Sequence, residues 1–152
     1  MDKTELTKEL LSKILAFFGT KPQVDIQAGE EDMIMVNIKG DNLNYLIGYR
    51  GQSLDALENI LTHMIYKQTN QWPQLLLDIN GYNEQRVDRL HNLARRFIDR
   101  VRFFQTEVEM PYLNPWERKQ IHMYVTDYDD VASESRGDGR SRKMYLMPKK
   151  RK

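Results

Sequence analysis

Two glycines three residues apart, Gly48 and Gly51, lie between two apolar patterns of helical period, and no other feature restricts the fold of this chain so tightly. Before them, Leu43, Leu46 and Ile47 predict a short helix. After them, Leu54, Leu57, Leu61, Met64 and Ile65 predict a longer helix with one apolar face. The joint Leu46-Ile47-Gly48-Tyr49-Arg50-Gly51-Gln52-Ser53-Leu54 must therefore turn between two helices with no side-chain bulk at either corner. A turn of this kind lets a phosphate backbone come close to the main chain. The N–H groups and positive dipole end of the helix that starts near Gln52 point to the same place, and Arg50 adds a full charge.

The surrounding pattern mixes helices and strands. Leu6, Leu10, Leu11, Ile14, Leu15 and Phe18 predict a first helix, ended by Gly19 and Pro22. Val24 to Gln27 and Met33 to Ile38 alternate apolar with polar across Gly29 to Asp32, which predicts a hairpin. Trp72 and Pro73 break the helix after the glycines, and Leu75 to Ile79 predict a strand. The second half opens on a long helix from about Asn83 to Phe104, with a core stripe of Val87, Leu90, Ala94, Phe97, Ile98 and Val101. A Pro-punctuated segment, Met110 to Pro115, leads to a helix from about Trp116 to Thr126 and to strands at Val131 to Ser135 and Arg142 to Met147. The class is α+β, without repeats or a low-complexity linker. Two domains, 1–82 and 83–152, are expected to be joined by the long helix 83–104.

Composition narrows the function. The chain has 152 residues, 40% of them hydrophobic, enough to fill one ordinary core or two small ones. The absence of cysteine excludes disulfides, thiolate metal sites and a cysteine nucleophile, and suits a reducing compartment. Met1 to Phe18 reads as a folded helix rather than a leader, and apolar runs such as Leu75 to Leu77 are too short to span a bilayer. A soluble, cytoplasmic protein without integral membrane association is expected. The net charge of +1 is polarised: Arg136 to Lys152 carries eight basic residues against one acidic, leaving fifteen basic against twenty-one acidic before it. A basic end of this kind attracts polyanions, or is simply a solvated tail.

A second motif, Arg118-Lys119-Gln120-Ile121-His122, puts an arginine and a histidine on one helical face, both expected to be exposed. The order helix, strand, strand, helix, Gly-x-x-Gly, helix, strand over residues 1 to 80 resembles a type II K-homology (KH) domain. The stretch Asn114-Pro115-Trp116-Glu117-Arg118 to His122, with Val131 to Ser135, a Gly137-Asp138-Gly139 turn and the basic strand Arg142-Lys143-Met144-Tyr145, resembles a small α/β R-3-H domain over residues 85 to 150. A KH domain followed by an R-3-H domain is similar to the bacterial Jag family, also called KhpB, RNA-binding proteins linked to cell elongation and division.

The resemblance implies a groove that clamps about four nucleotides of single-stranded RNA. The Gly48, Tyr49, Arg50 and Gly51 loop would lie on the backbone and Ile47 and Leu54 would form the floor. Tyr49 would stack a base or simply be exposed. Arg118 and His122, with Arg142 and Lys143, would hold phosphate in the second domain. The resemblance also implies a second, smaller KH protein as a heterodimer partner, with a homodimer as the other pairing. The sequence begins at the KH helix, without the additional N-terminal Jag domain, so functions of that segment do not transfer.

Other basic features discriminate less. Arg89, Arg96 and Arg100 recur on the long helix away from its apolar stripe, as a phosphate track or as a solvated face. The terminal Pro148-Lys149-Lys150-Arg151-Lys152 has the composition of a nuclear import signal or of a phosphate-attracting tail. His63, His91 and His122 fall on three separate helices without metal-ligand spacing, and no nucleophile elbow, Walker loop or dinucleotide fingerprint is present. No catalytic residue, metal or cofactor is expected. The rival class is a protein-interaction adaptor that uses the KH-like groove and edges for a protein partner.

Overall fold

In the computed structural model the described residues are 2–150, so Arg151 and Lys152 of the basic tail lie outside them. The chain divides into two compact units, Met1–Asn83 and Glu84–Lys152, and is of mixed α+β class.

The first unit contains α1 (Lys3–Phe17), β1 (Gln23–Ala28), β2 (Met33–Lys39), α2 (Asn44–Ile47), α3 (Gln52–Thr69) and β3 (Gln74–Ile79). Its sheet has β2 in the centre, antiparallel to β1 and parallel to β3, with Val36 level with Ile26 and with Leu77. Alternation along β2 buries Ile34, Val36 and Ile38, which face the helices. Leu6, Leu10, Leu11 and Leu15 of α1 and Leu54, Leu57, Leu61 and Ile65 of α3 close the core over them. The helix-period leucines in the sequence are this seam.

The outer edge of β3 is occupied by side chains. The Leu77 N–H donates to Oε2 of Glu58 at 3.0 Å, and the Leu77 carbonyl accepts from Nδ2 of Asn83 at 2.9 Å. The Asn83 N–H donates in turn to Asp78 at 3.0 Å. Leu77 is fully buried, so these partners satisfy backbone groups that water does not reach.

The second unit contains most of α4 (Tyr82–Phe104), then β4 (Val108–Glu109), α5 (Pro115–Val125), β5 (Val131–Arg136) and β6 (Lys143–Pro148). Its antiparallel sheet has the order β4-β6-β5, with Ser133 opposite Leu146 and Glu134 opposite Tyr145. Leu90, Ala94, Phe97, Ile98 and Val101 of α4, Ile121 and Val125 of α5, and Val131, Met144 and Leu146 of the sheet form the core. The start of α5 is a reciprocal cap. Asn114 Oδ1 accepts the Glu117 N–H and Glu117 Oε2 accepts the Asn114 N–H, each at 2.8 Å, with Pro115 in the first helical position.

Two expectations change. Val87 is only half-buried, and Arg86 is buried instead, its guanidinium 4.0 Å from the centre of the Trp116 ring. Positions 86 and 87 are equally compatible with the phase set by Leu90, and the arginine covers apolar surface with its stem while its planar head stacks on the indole. The strand β4 was not expected, because two residues carry no period.

Glu58→Ala is expected to destabilise the first unit by about 1–3 kcal/mol, since it leaves a buried amide without its acceptor. Glu58→Gln keeps a side-chain oxygen and most of the stability. Hydrogen exchange at the Leu77 amide checks this: it should accelerate in the alanine variant and stay slow in the glutamine variant.

Candidate nucleic-acid interface

The glycine turn joins the last residue of α2 to the first of α3. Gly48 has φ 71° and ψ −173°, Arg50 φ 54° and Gly51 φ 80°, so three of the four loop residues lie in the left-handed half of backbone space. A Cβ at Gly48 would fall 2.1 Å from Oγ and 2.7 Å from Cβ of Ser53, so both its torsion and its contact exclude a side chain. The Gly48 N–H closes α2 on the Asn44 carbonyl at 2.9 Å. No side chain caps the start of α3, whose N-terminal dipole faces the loop, with Asp55 in its first turn. Tyr49 is 74% exposed, and the Arg50 guanidinium is 6.0 Å from its ring centre. Ile47 is half-buried at the base of the loop, whereas Leu54 is only 1% exposed and belongs to the core beneath it. Ile47 is thus accessible beside the loop, whereas Leu54 supports it from within the core.

In the second unit, α5 carries Arg118 and His122. Arg118 is half-buried rather than exposed as expected: its Nη1 donates to the Leu113 carbonyl at 2.7 Å and ties α5 to the segment before it. His122 is exposed, with Nδ1 2.6 Å from Oγ of Ser133 on β5. That contact sets the imidazole at the rim of a recess of about 170 Å³, lined also by Tyr128, Ser133 and Lys149. In the sequence Ser133 reads only as part of a strand and Lys149 only as part of the basic tail, neither as a residue beside His122. Ser133 faces α5 because strand alternation puts it on the side of buried Val131, and Lys149 comes into range because its N–H is held by the Asp130 carbonyl at 2.9 Å.

Arg142 and Lys143 are not gathered with His122. Arg142 donates from Nη1 to the Gly137 carbonyl at 2.8 Å and braces the turn between β5 and β6. Lys143 shares with Glu134, Arg136 and Tyr145 the sheet face opposite Ser133, and its Nζ is 2.5 Å from Oε1 of Glu109. The bond to Glu109 raises its pKa. Other cations are similarly held. Arg136 grips Glu107 through two bonds of 2.6 and 2.7 Å and reaches Glu134 at 3.2 Å, while Arg102 grips Asp130 at 2.6 and 2.9 Å. The Arg136 guanidinium holds Glu107 below the usual carboxylate range, and Asp130 pushes Arg102 up.

Among the described residues, no cluster of His, Asp or Glu could hold a metal ion, and no helix is long and apolar enough to cross a membrane.

Comparison with known proteins connects these features. The R-3-H domain family matches residues 88–148. The RNA-binding protein KhpB of Clostridium symbiosum is 28% identical over 143 residues, 93% of this chain and 64% of that protein. The RNA-binding protein KhpB of Bacillus subtilis is 26% identical over 152 residues, 99% of this chain and 73% of that protein. A KhpB of Streptococcus pneumoniae is 29% identical over 93 residues, 61% of this chain and 28% of its own length. The chain thus spans just under two thirds of the first relative and more of the second. The Arg118-x-x-x-His122 helix thus lies inside a stretch that matches the R-3-H domain family, and over nearly its whole length the chain is similar to RNA-binding proteins named KhpB.

Proposed function

We propose that this protein binds single-stranded RNA and acts as a cytoplasmic post-transcriptional regulator, without catalysis, through a type II KH domain in the first unit and the R-3-H domain in the second. The observation that carries the reading is the Gly48 to Gly51 turn. Its backbone admits no side chain at Gly48, it ends at a helix N-terminus without a side-chain cap, and it presents Tyr49 outward with Arg50 half-buried beside that ring. Such a loop accepts a phosphate at main-chain distance, and an adjacent apolar floor at Ile47 receives a base. The element order of the first unit and its parallel β2–β3 pair are compatible with the type II arrangement. Arg118, His122 and the recess beside them supply a second phosphate-binding surface, for which the relatives' names as RNA-binding proteins speak. Arg142 and Lys143 stand further from this surface, one braced on a carbonyl and one on Glu109. The link to cell elongation or division, and a smaller KH protein as partner, belong to the same proposal through the family resemblance.

One observation favours the adaptor reading as a second function. The solvent side of α3 carries a recess of about 540 Å³ lined by Asn59, Ile60, His63, Met64, Lys67 and Gln68, with Ile60 54% exposed. Trp72 stands beside it, stacked on Tyr66 at 4.1 Å and edge-on to His63 at 5.2 Å. A protein held there would co-purify after nuclease treatment, whereas RNA binding weakens steeply with salt.

Tyr49→Asp combined with Arg50→Asp should lower affinity for a single-stranded RNA by roughly a hundredfold or more, because like charge then sits where phosphate must approach. Circular dichroism should show the parent fold. A folded double variant that titrates like the parent would remove the loop from the interface.

The second surface separates two roles. Arg118→Ala should cost about 1–3 kcal/mol of stability, since the carbonyl of buried Leu113 loses its charged donor, and should weaken RNA binding as well. His122→Ala should weaken binding while changing stability by less than about 1 kcal/mol, as expected for an exposed side chain. Urea unfolding and RNA titration of both variants provide the check, and equal effects on stability would contradict the assignment.

A further inference from the structure

The ion pairs of the second unit sort its cations into two sets. Arg102, Arg136 and Lys143 are each committed to carboxylates. Arg96 and Arg100, both exposed on α4, enter no ion pair among the described residues. The spacing of these two arginines puts them on one helical face, with Arg89 a further two turns toward the N-terminus and Phe103 in the turn after Arg100. One turn separates Arg96 from Arg100, about 6 Å along the axis. The Arg100 guanidinium lies 5.3 Å from the ring centre of Phe97, so the ring supports the cation from below and leaves its outer edge to solvent. Phe103 is 81% exposed and Phe104 61%, their rings in edge-to-face contact at 4.9 Å.

Two unneutralised guanidiniums followed on the same face by a bare aromatic ring match a strand of nucleic acid, which offers phosphates in series and bases that stack. A folded protein surface would be poorly served by the same stripe, because it lacks an apolar centre between the charges. We propose that Arg96, Arg100 and Phe103 form a second single-strand track on α4, separate from the Arg118 and His122 surface. The two arginines hold successive backbone phosphates, and the ring of Phe103 stacks the base that follows. This rests on the RNA-binding reading above and adds the residues that set its salt dependence.

The test uses the full chain and a labelled oligouridine of about a dozen nucleotides, titrated by fluorescence anisotropy across a salt series. Each phosphate contact to a single strand contributes about 0.7 to the slope of log K against log salt. Arg96→Gln with Arg100→Gln should therefore reduce that slope by about 1.4, and Arg96→Lys with Arg100→Lys should restore most of it. Phe103→Leu should lower affinity about tenfold at an unchanged slope, since stacking carries no counterion. Lys8→Gln with Lys13→Gln removes the same two charges from α1 and should leave the slope close to the parent's. A parent-like slope in the Arg96, Arg100 glutamine variant overturns the track, as does an equal fall in the Lys8, Lys13 control, which would reduce the effect to overall charge. If the parent itself binds no oligouridine at any salt, the RNA-binding reading fails first. If the parent binds and only the Tyr49, Arg50 variant loses affinity, the loop stands and the track falls.

Discussion

The burial of one face of α3 is the constraint on which the first unit depends. Leu54, Leu57, Leu61 and Ile65 lie on a single stripe, none more than 7% exposed, against Ile34, Val36, Ile38, Leu77 and Ile79 of the sheet. Each such side chain contributes on the order of 1.5–3 kcal/mol relative to exposure, so the axis of α3 is fixed by many contacts at once. The glycine turn begins where that stripe ends. With Leu46 buried on one side of it and Leu54 on the other, the left-handed torsions of Gly48, Arg50 and Gly51 are held between two anchors, with the Gly51 N–H on the Gly48 carbonyl at 3.4 Å inside the loop. The loop can then present backbone to a ligand without having to be ordered by it.

In the second unit, charge is distributed with similar economy. Exposed ion pairs such as Arg102 with Asp130 and Arg136 with Glu107 add little to stability, since solvent and salt screen them. Their larger effect is on the field: each carboxylate cancels a guanidinium that would otherwise attract polyanions. The +7 of the C-terminal stretch therefore overstates how basic that region is as folded, because Arg136 and Lys143 are both matched by Glu107, Glu109 and Glu134. Unmatched charge on α4 is invisible to a count along the chain, since it arises from which acids the fold places elsewhere.

Periodicity made the helices legible. The apolar spacing of α1, α3 and α4 located each to within a few residues at either end, and the two glycines placed the turn between α2 and α3. What the sequence could not show was determined by contacts between distant segments. Arg86 became a core residue only because α5 brings Trp116 over it, and β4 exists only because β6 pairs with Val108 and Glu109. The candidate site was legible as motifs and less so as geometry. Gly48 to Gly51 and Arg118 to His122 could be read from spacing, but strand parity separates Lys143 from Ser133 and His122, and Lys149 reaches the His122 recess by a hydrogen bond to Asp130 across nearly twenty residues.

The side-chain closure of β3 has a consequence for how the chain emerges during synthesis. Until Gln74–Ile79 is available, β2 has one partner and one bare edge, because its parallel neighbour is separated from it by the whole of α2 and α3. Glu58 is already in place when β3 docks and takes the Leu77 N–H at once. The Leu77 carbonyl waits for Asn83, four residues beyond the end of the strand. A nascent chain whose emerged portion ended at Ile79 would thus carry a three-stranded sheet with a half-sealed margin, open to pairing with a neighbouring nascent chain on the same message. The first turn of α4 closes that margin, so the first unit is finished by residues that a division drawn at the last strand would assign to the second.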